Sequence, residues 1–145
     1  MRLMEQDTFN LQRFVDAQNA VYHNVRTELK SGRKTSHWMW FVFPQIRGLG
    51  SSPMAKRFAI SSLEEARAYL AHPVLGVRLI ECCKLVVESK DADVHEIFGY
   101  PDDLKFHSSI TLFAHADPNE VVFKEALQKY FGGKEDAATL NAGLL

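Results

Sequence analysis

Residues 61–86 read SSLEEARAYLAHPVLGVRLIECCKLV, a stretch that carries two separate helix signals. Ser61-x-x-Glu64 matches a capping box, in which a serine and a glutamate three residues later bind amide groups left free at a helix start. We predict that this helix runs to about His72. Pro73 then begins a second helix with one apolar stripe, formed by Leu75, Leu79, Cys82 and Val86. The stretch therefore predicts two consecutive helices.

Helix start and stop signals continue on both sides of this stretch. Thr8 or Asp7 can cap a first helix, which we predict to end at Gly32. Its apolar side chains follow a spacing of three and four residues: Leu11, Phe14, Val15, Tyr22, Val25 and Leu29. Later starts are marked by Ser52-Pro53, Asp93, Pro101, Asp117-Pro118-x-Glu120 and Asp136, and stops by Gly99 and Gly132-Gly133. The pattern predicts an all-α (mainly α) fold, a compact single-domain bundle of about six to eight short helices.

Residues 37–43, HWMWFVF, are almost continuously apolar and fit either a buried strand or a short buried helix. The only rival strand of similar character is SSITLFAH at residues 108–115, and a lone two-stranded ribbon is marginally stable. Ser36 can cap a helix that ends at Pro44 or Gln45. We therefore choose the helix for this segment.

The composition places the chain in the class of folded single domains. Its 145 residues are 46% hydrophobic and 24% charged, so we treat residues 1–145 as one domain. No apolar run approaches the ~18 residues of a membrane span, and MRLMEQDTFN lacks the apolar stretch of a secretory signal. Cys82 and Cys83 are adjacent and cannot form a disulfide framework. These features predict a cytoplasmic protein with no membrane partner.

The net charge of −1 hides an asymmetry between the two parts of the chain. Residues 1–60 carry +5 and residues 61–145 carry −6. The split is compatible with an anion-binding face, but we favour the interpretation that folding mixes these charges around an ordinary surface. Four basic residues near aromatic side chains suggest a nucleic-acid-binding module as an alternative: Arg26, Lys30, Arg33 and Lys34. The near-neutral net charge of the chain and the lack of a recognised binding motif disfavour nucleic-acid binding.

Three longer motifs carry a resemblance to a known family. They are SHWMWFVFPQIRGLGSSPMAKRFAISSLEEARAYLAHPVLGVRL at residues 36–79, IFGYPDDLKFHSSITLFAHA at residues 97–116 and KYFGGKEDAATL at residues 129–140. Together they closely resemble the bacterial domain-of-unknown-function 1810 family over residues 9–140. Members often carry the label calpastatin, but nothing here is similar to that disordered, repetitive inhibitor. The resemblance implies a compact, mainly helical single domain and no established reaction.

The first candidate site is the aromatic segment with its polar ends. Trp38 and Trp40 suit a core, and they would also stack against a flat ligand. His37 and Gln45 bracket the apolar run and would supply hydrogen bonds, with His37 as a candidate catalytic residue.

The second candidate is the loop RGLGSSPMAKR at residues 47–57. Its glycines permit close approach of backbone amides to an anion, and Arg47, Lys56 and Arg57 add positive charge. It lacks the Gly-Lys-Ser/Thr ending of a phosphate-binding loop and the third glycine of a dinucleotide-binding pattern. An ordinary connection explains it equally well.

The third candidate lies on the helix after Pro101. Lys105 lies three residues before Ser108 and four before Ser109, so it can touch either one, and a lysine beside a serine can activate it as a nucleophile. Asp102 is a candidate for acid–base chemistry, although it also suits the helix N-terminus. Ser109 and Thr111 are candidates for lining a ligand site, against the alternative that such hydroxyls bond back to helix carbonyls.

No metal site and no cofactor are predicted, because no His-x-x-x-His pair and no Cys-x-x-Cys spacing occurs. The favoured function is a pocket for an anionic nucleotide-like small molecule, with NAD- or ADP-ribose-derived molecules among the candidates. Hydrolase-type activity is left open. The alternatives are a non-catalytic protein-interaction or structural domain and a nucleic-acid-binding module. The oligomeric state is left as monomer or homodimer.

Overall fold

The computed structural model describes residues 6–90 and 93–145. This part of the chain forms ten helices, and the predicted all-α fold is confirmed. They are α1 (Gln12–Asn19), α2 (Tyr22–Lys30), α3 (Met39–Val42), α4 (Pro53–Arg57), α5 (Leu63–Ala71), α6 (Leu75–Val87), α7 (Val94–Phe98), α8 (Asp102–Ala116), α9 (Val121–Phe131) and α10 (Ala137–Asn141). The number exceeds the predicted six to eight because α3, α4, α7 and α10 have only four or five residues each.

Helix α8 lies at the centre of the fold. It packs against α5, α7, α9 and α10, and nine of its fifteen residues are buried. Phe106 meets the ring of Phe43 at 5.1 Å between centroids, and Phe113 meets that of Tyr69 at 5.3 Å. On α6 the predicted stripe is confirmed, since its four side chains are at most 1% exposed. The core is therefore one cluster of aromatic and aliphatic side chains around α8.

The predicted first helix divides into α1 and α2 at residues 20–21. The expectation of one helix as far as Gly32 was wrong, because Val21 has a non-helical backbone. The division lets α1 pack against α3 while α2 packs against α6. The N-cap residue of α1 is Leu11 and not Asp7 or Thr8 as predicted, although the Asp7 carboxylate accepts hydrogen bonds from the amides of Leu11 (2.6 Å) and Gln12 (2.8 Å).

Three predicted caps are confirmed, because Ser52, Asp93 and Asp136 each accept an amide hydrogen bond in the first turn of α4, α7 and α10. The capping box lies one residue later than predicted. Ser62 Oγ accepts from the amide of Glu65 (3.1 Å), and Glu65 Oε1 accepts from the amide of Ser61 (2.8 Å). The carboxylate of Glu65 also forms a partly buried ion pair with Arg13 at 3.0 Å.

Residues 37–43 contain one helical turn, α3, so the choice of helix is confirmed for Met39–Val42 alone. Ser36 does not cap it as predicted, because its hydroxyl donates instead to the carboxylate of Glu28 (2.5 Å). Beyond α3 the chain extends to an isolated parallel bridge between Ile46 and Ile60. This bridge joins the two ends of the loop that carries α4.

Candidate functional site

A cavity of about 300 Å³ opens between α3, the loop of residues 45–59 and the first turn of α8. We call it the α3–α8 cavity. Its lining comprises Met39, Trp40, Phe43, Gln45, Ile46, Arg47, Gly48, Gly50, Ala55, Lys56, Phe58, Ala59 and Lys105. The volume is at the lower end of the range for small-molecule sites, which is about 300–1,000 Å³. The cavity is therefore large enough for a small organic ligand.

The floor of the cavity is apolar, and its rim carries three positive charges. Met39, Phe43, Ile46 and Phe58 are buried side chains of the core. Arg47, Lys56 and Lys105 supply the charge, and no carboxylate belongs to the lining among the residues that the structure describes. This arrangement favours a ligand with an apolar body and a negatively charged group.

Lys105 holds a defined position at the mouth of the cavity. Its ammonium lies 5.2 Å from the ring centroid of Trp40, within the range of a cation–π contact. The same ammonium lies 3.5 Å from Asp102 Oδ1, and the Lys105 side chain is 24% exposed. Trp40 is half-buried and also lines the cavity. The two residues form one wall, in which a flat aromatic face adjoins a cation.

Asp102 is shared between two lysines. Its Oδ2 lies 2.8 Å from Lys34 Nζ, and the Lys34 side chain is only 7% exposed. The contact with Lys105 is longer, at 3.5 Å. Because one carboxylate serves two ammonium groups, the cluster keeps a net positive charge beside the cavity.

The loop of residues 45–59 is fixed at both ends. The amide of Arg47 donates to Ile60 O (2.8 Å), and the amide of Ile60 donates to Gln45 O (2.9 Å). Inside the loop, a Cβ placed on Gly50 would lie 2.5 Å from the Cβ of Ala55, so the loop approaches α4 as only glycine permits. Gly48 has a φ of +101°, which also favours glycine. The two glycines thus shape the cavity wall.

Five of the twelve residues predicted as site residues line this cavity: Trp40, Gln45, Arg47, Lys56 and Lys105. Trp38 does not; it is 1% exposed and belongs to the core. His37 and Arg57 are exposed and lie outside the lining, and the Arg57 guanidinium sits over the ring of Phe58. Asp102 acts through its contact with Lys105.

The hydroxyl groups of α8 do not face the cavity, and the predicted pairing of Lys105 with Ser108 is not formed. Ser108 Oγ donates to Leu104 O (3.1 Å) and to Asp136 Oδ2 (2.9 Å). Thr111 Oγ1 donates to His107 O (2.9 Å) and accepts from the amide of Asp136 (2.9 Å). Ser109 is fully buried on the same helix and lies outside the cavity lining. Ser108 and Thr111 therefore attach α8 to the segment before α10.

Glu28 contributes to this region although it was not among the predicted site residues. Its Oε1 accepts hydrogen bonds from the amides of Thr35 (2.7 Å) and Ser36 (3.0 Å) and from the indole of Trp38 (3.0 Å). Burial opposes ionisation of this carboxyl, but the hydrogen bonds outweigh it and hold the Glu28 pKa below its usual value. We call these hydrogen bonds to the Glu28 carboxylate the Glu28 latch. They fix Trp38 at the residue before α3 and so orient the turn that carries Trp40. A lone Glu inside an amphipathic helix gives no sequence signal for this role.

The two cysteines lie outside the lining of the α3–α8 cavity. Cys82 and Cys83 are free and buried, and burial raises the pKa of Cys82 to about 12. Within residues 6–90 and 93–145, no three His, Cys, Asp or Glu side chains are grouped as metal ligands would be. In the same residues no helix has both the length and the apolar character needed to cross a membrane.

One family model matches most of this chain. The model for "Protein of unknown function (DUF1810)" matches residues 8–142. The crystal structure of the conserved hypothetical protein Rv1873 from Mycobacterium tuberculosis is similar to this chain, with a TM-score of 0.92 and 57% sequence identity. The match covers 94% of this chain and 97% of that chain. The comparison with curated proteins gives no match. The chain therefore belongs to the DUF1810 family of proteins of unknown function.

Proposed function

We propose that the α3–α8 cavity binds a small anionic molecule with a flat part, of nucleotide-like character. The observation that carries the proposal is an apolar cavity with three cations and no carboxylate in its described lining. Buried apolar walls supply binding energy without selecting an orientation, and charged groups at the rim fix one. An anion with a flat body meets both requirements.

Lys105 is the residue on which the proposal depends most. Its ammonium is the least exposed of the three cations, because Trp40 and Asp102 flank it. A partly desolvated charge interacts more strongly with an anion than an exposed one does. A flat group that stacks on Trp40 would place its charged substituent beside this ammonium.

Binding without catalysis is the better-supported form of the proposal. Of the four candidate catalytic residues, Lys105 alone lines the cavity, while His37 is exposed and Ser108 is bonded to Asp136. Acid–base or nucleophilic catalysis needs groups within hydrogen-bond reach of one ligand. Two buried free thiols fit a reducing, cytoplasmic setting for this binding protein.

The nucleic-acid alternative has less support than small-molecule binding. Two of the four basic residues on which it depends are already engaged. Arg26 Nε lies 3.4 Å from Glu81 Oε1, and Lys34 is paired with Asp102. Phosphate contacts need cations that are free to exchange their counterions.

A thermal-shift screen against nucleotides, NAD fragments and sugar phosphates tests the proposal. A ligand that binds only the folded protein raises its melting temperature with increasing concentration. We expect a shift that Lys105→Gln abolishes and that Lys84→Gln, an exposed charge on α6, leaves unchanged. Ala59→Met, which fills the cavity without altering charge, should abolish it too. A shift insensitive to Lys105→Gln and Ala59→Met would contradict the proposal.

A further inference from the structure

We infer that the ligand of the α3–α8 cavity is a planar aromatic monocarboxylate and not a nucleotide. The inference rests on the part of the proposed function that makes the ligand flat and anionic, and it replaces the nucleotide-like character with a defined body and a defined charged group. Its basis is the small number of hydrogen-bonding groups that the cavity offers.

Uncharged side chains give the cavity two hydrogen-bonding groups. Among the described lining residues these are the amide of Gln45 and the indole N–H of Trp40, while the other uncharged side chains are apolar and include the rings of Phe43 and Phe58. A nucleotide carries base edges and ribose hydroxyls that all require partners when they are buried. A fused aromatic ring requires none, and it matches three aromatic walls.

Four backbone groups of the cavity wall are already hydrogen-bonded within the protein. Gln45 O and the amide of Arg47 are used in the bridge to Ile60. Ala59 O accepts from the guanidinium of Arg13 (2.9 Å), and the amide of Phe58 donates to Met54 O (3.1 Å). These groups already form hydrogen bonds within the protein, so they are not available to bind the edge of a nucleobase.

The positive charges of the cavity favour a ligand with a single negative group. Arg47 and Lys56 are exposed, so water and salt screen them, whereas Lys105 is partly buried against Trp40. One strong cation beside the apolar floor suits one carboxylate. The carboxylate would lie against the Lys105 ammonium, and the ring would extend over Trp40 toward Phe43 and Phe58.

Isothermal titration calorimetry on the full chain with 2-naphthoate, 2-naphthamide and AMP tests the inference. We expect 2-naphthoate to bind about tenfold or more tightly than the isosteric amide, because only the acid gains a charge-assisted contact. Lys105→Gln should weaken the acid by about the same factor and change binding of the amide by less than about twofold. Lys84→Gln is the matched control and should change neither.

The outcomes distinguish failure of the inference from failure of the proposed function. If AMP binds more tightly than 2-naphthoate and depends on Lys105, the inference is overturned while the proposed function stands. If the acid and the amide bind equally and Lys105→Gln has no effect, the inference is overturned as well. If no probe binds, or binding is unaffected by Ala59→Met, both the inference and the proposed function fail.

Discussion

Glu28→Ala should lower the free energy of unfolding by about 3 kcal/mol. The substitution removes the acceptor for the amides of Thr35 and Ser36, the Ser36 hydroxyl and the Trp38 indole. The groups of Thr35 and Ser36 are near solvent and can bond to water, which limits their share to about 1 kcal/mol. The indole N–H belongs to a side chain that is 1% exposed, and leaving it unpaired costs about 2 kcal/mol.

Urea denaturation, followed by circular dichroism, measures this change. Glu125→Ala is the control, since Glu125 is exposed on α9 and its replacement should alter stability by less than about 0.5 kcal/mol. In a Trp38→Phe background, which removes the indole N–H, Glu28→Ala should cost only about 1 kcal/mol. If Glu28→Ala lowered the free energy of unfolding equally in both backgrounds, or as little as the control does, the role assigned to the Glu28 hydrogen bonds would be refuted.

The pH dependence of the free energy of unfolding gives an independent measure of the contribution of Glu28. Folding lowers the pKa of Glu28, so the folded protein binds fewer protons there than the unfolded chain. Its contribution is present above the ordinary glutamate pKa of about 4.3 and is lost as the pH falls through the lower folded value. Glu28→Gln should therefore flatten the stability curve below about pH 4.3. If Glu28→Gln left the loss of stability at acid pH unchanged, that result would contradict the lowering of the Glu28 pKa on folding.

Three further predictions concern the cavity wall, the interior and the thiols. Gly50→Ala should lower stability by about 1–2 kcal/mol and weaken ligand binding, since the added methyl forces the loop away from α4; calorimetry and urea denaturation would show both. Gln18→Leu should destabilise the protein by about 2 kcal/mol in the same assay, because it leaves the buried carbonyl of Phe41 without the donor now 2.7 Å away. Cys82 and Cys83 should resist iodoacetamide at pH 8 in the native protein and react fully in urea, as mass spectrometry would show, because both are buried and carry raised pKa values. Rapid native labelling of either thiol would be inconsistent with that burial.

The helices could be predicted from the sequence because their signals are local. Caps such as Ser52 and Asp136 act within three residues, and the stripe on α6 repeats at helical spacing. The division between α1 and α2 could not, because it depends on packing against α3 and α6. Tertiary contacts of this kind override a continuous helical pattern.

The candidate site was predictable where its residues are neighbours in the chain. Arg47 and Lys56 belong to one loop, which the bridge at Ile60 closes. Trp38 and Trp40 are both tryptophans of the same short segment, and the contacts that hold Trp38 in the core include the distant acceptor Glu28 and the ring of Phe43. On α8, the spacing permits contact between Lys105 and Ser108, but the serine hydroxyl donates to Asp136 instead. The sequence contains both residues of each pair without indicating which pairs form.

The central position of α8 has a consequence for synthesis of the chain. Residues 102–116 follow two thirds of the sequence, yet α5 and α7 need them to cover their buried faces. On the ribosome, the aromatic side chains of the earlier helices remain uncovered until α8 and α9 emerge from the exit tunnel. Exposed apolar surface of this kind promotes aggregation. We therefore expect nascent chains that end before residue 101 to bind chaperones, and compaction to occur late in translation.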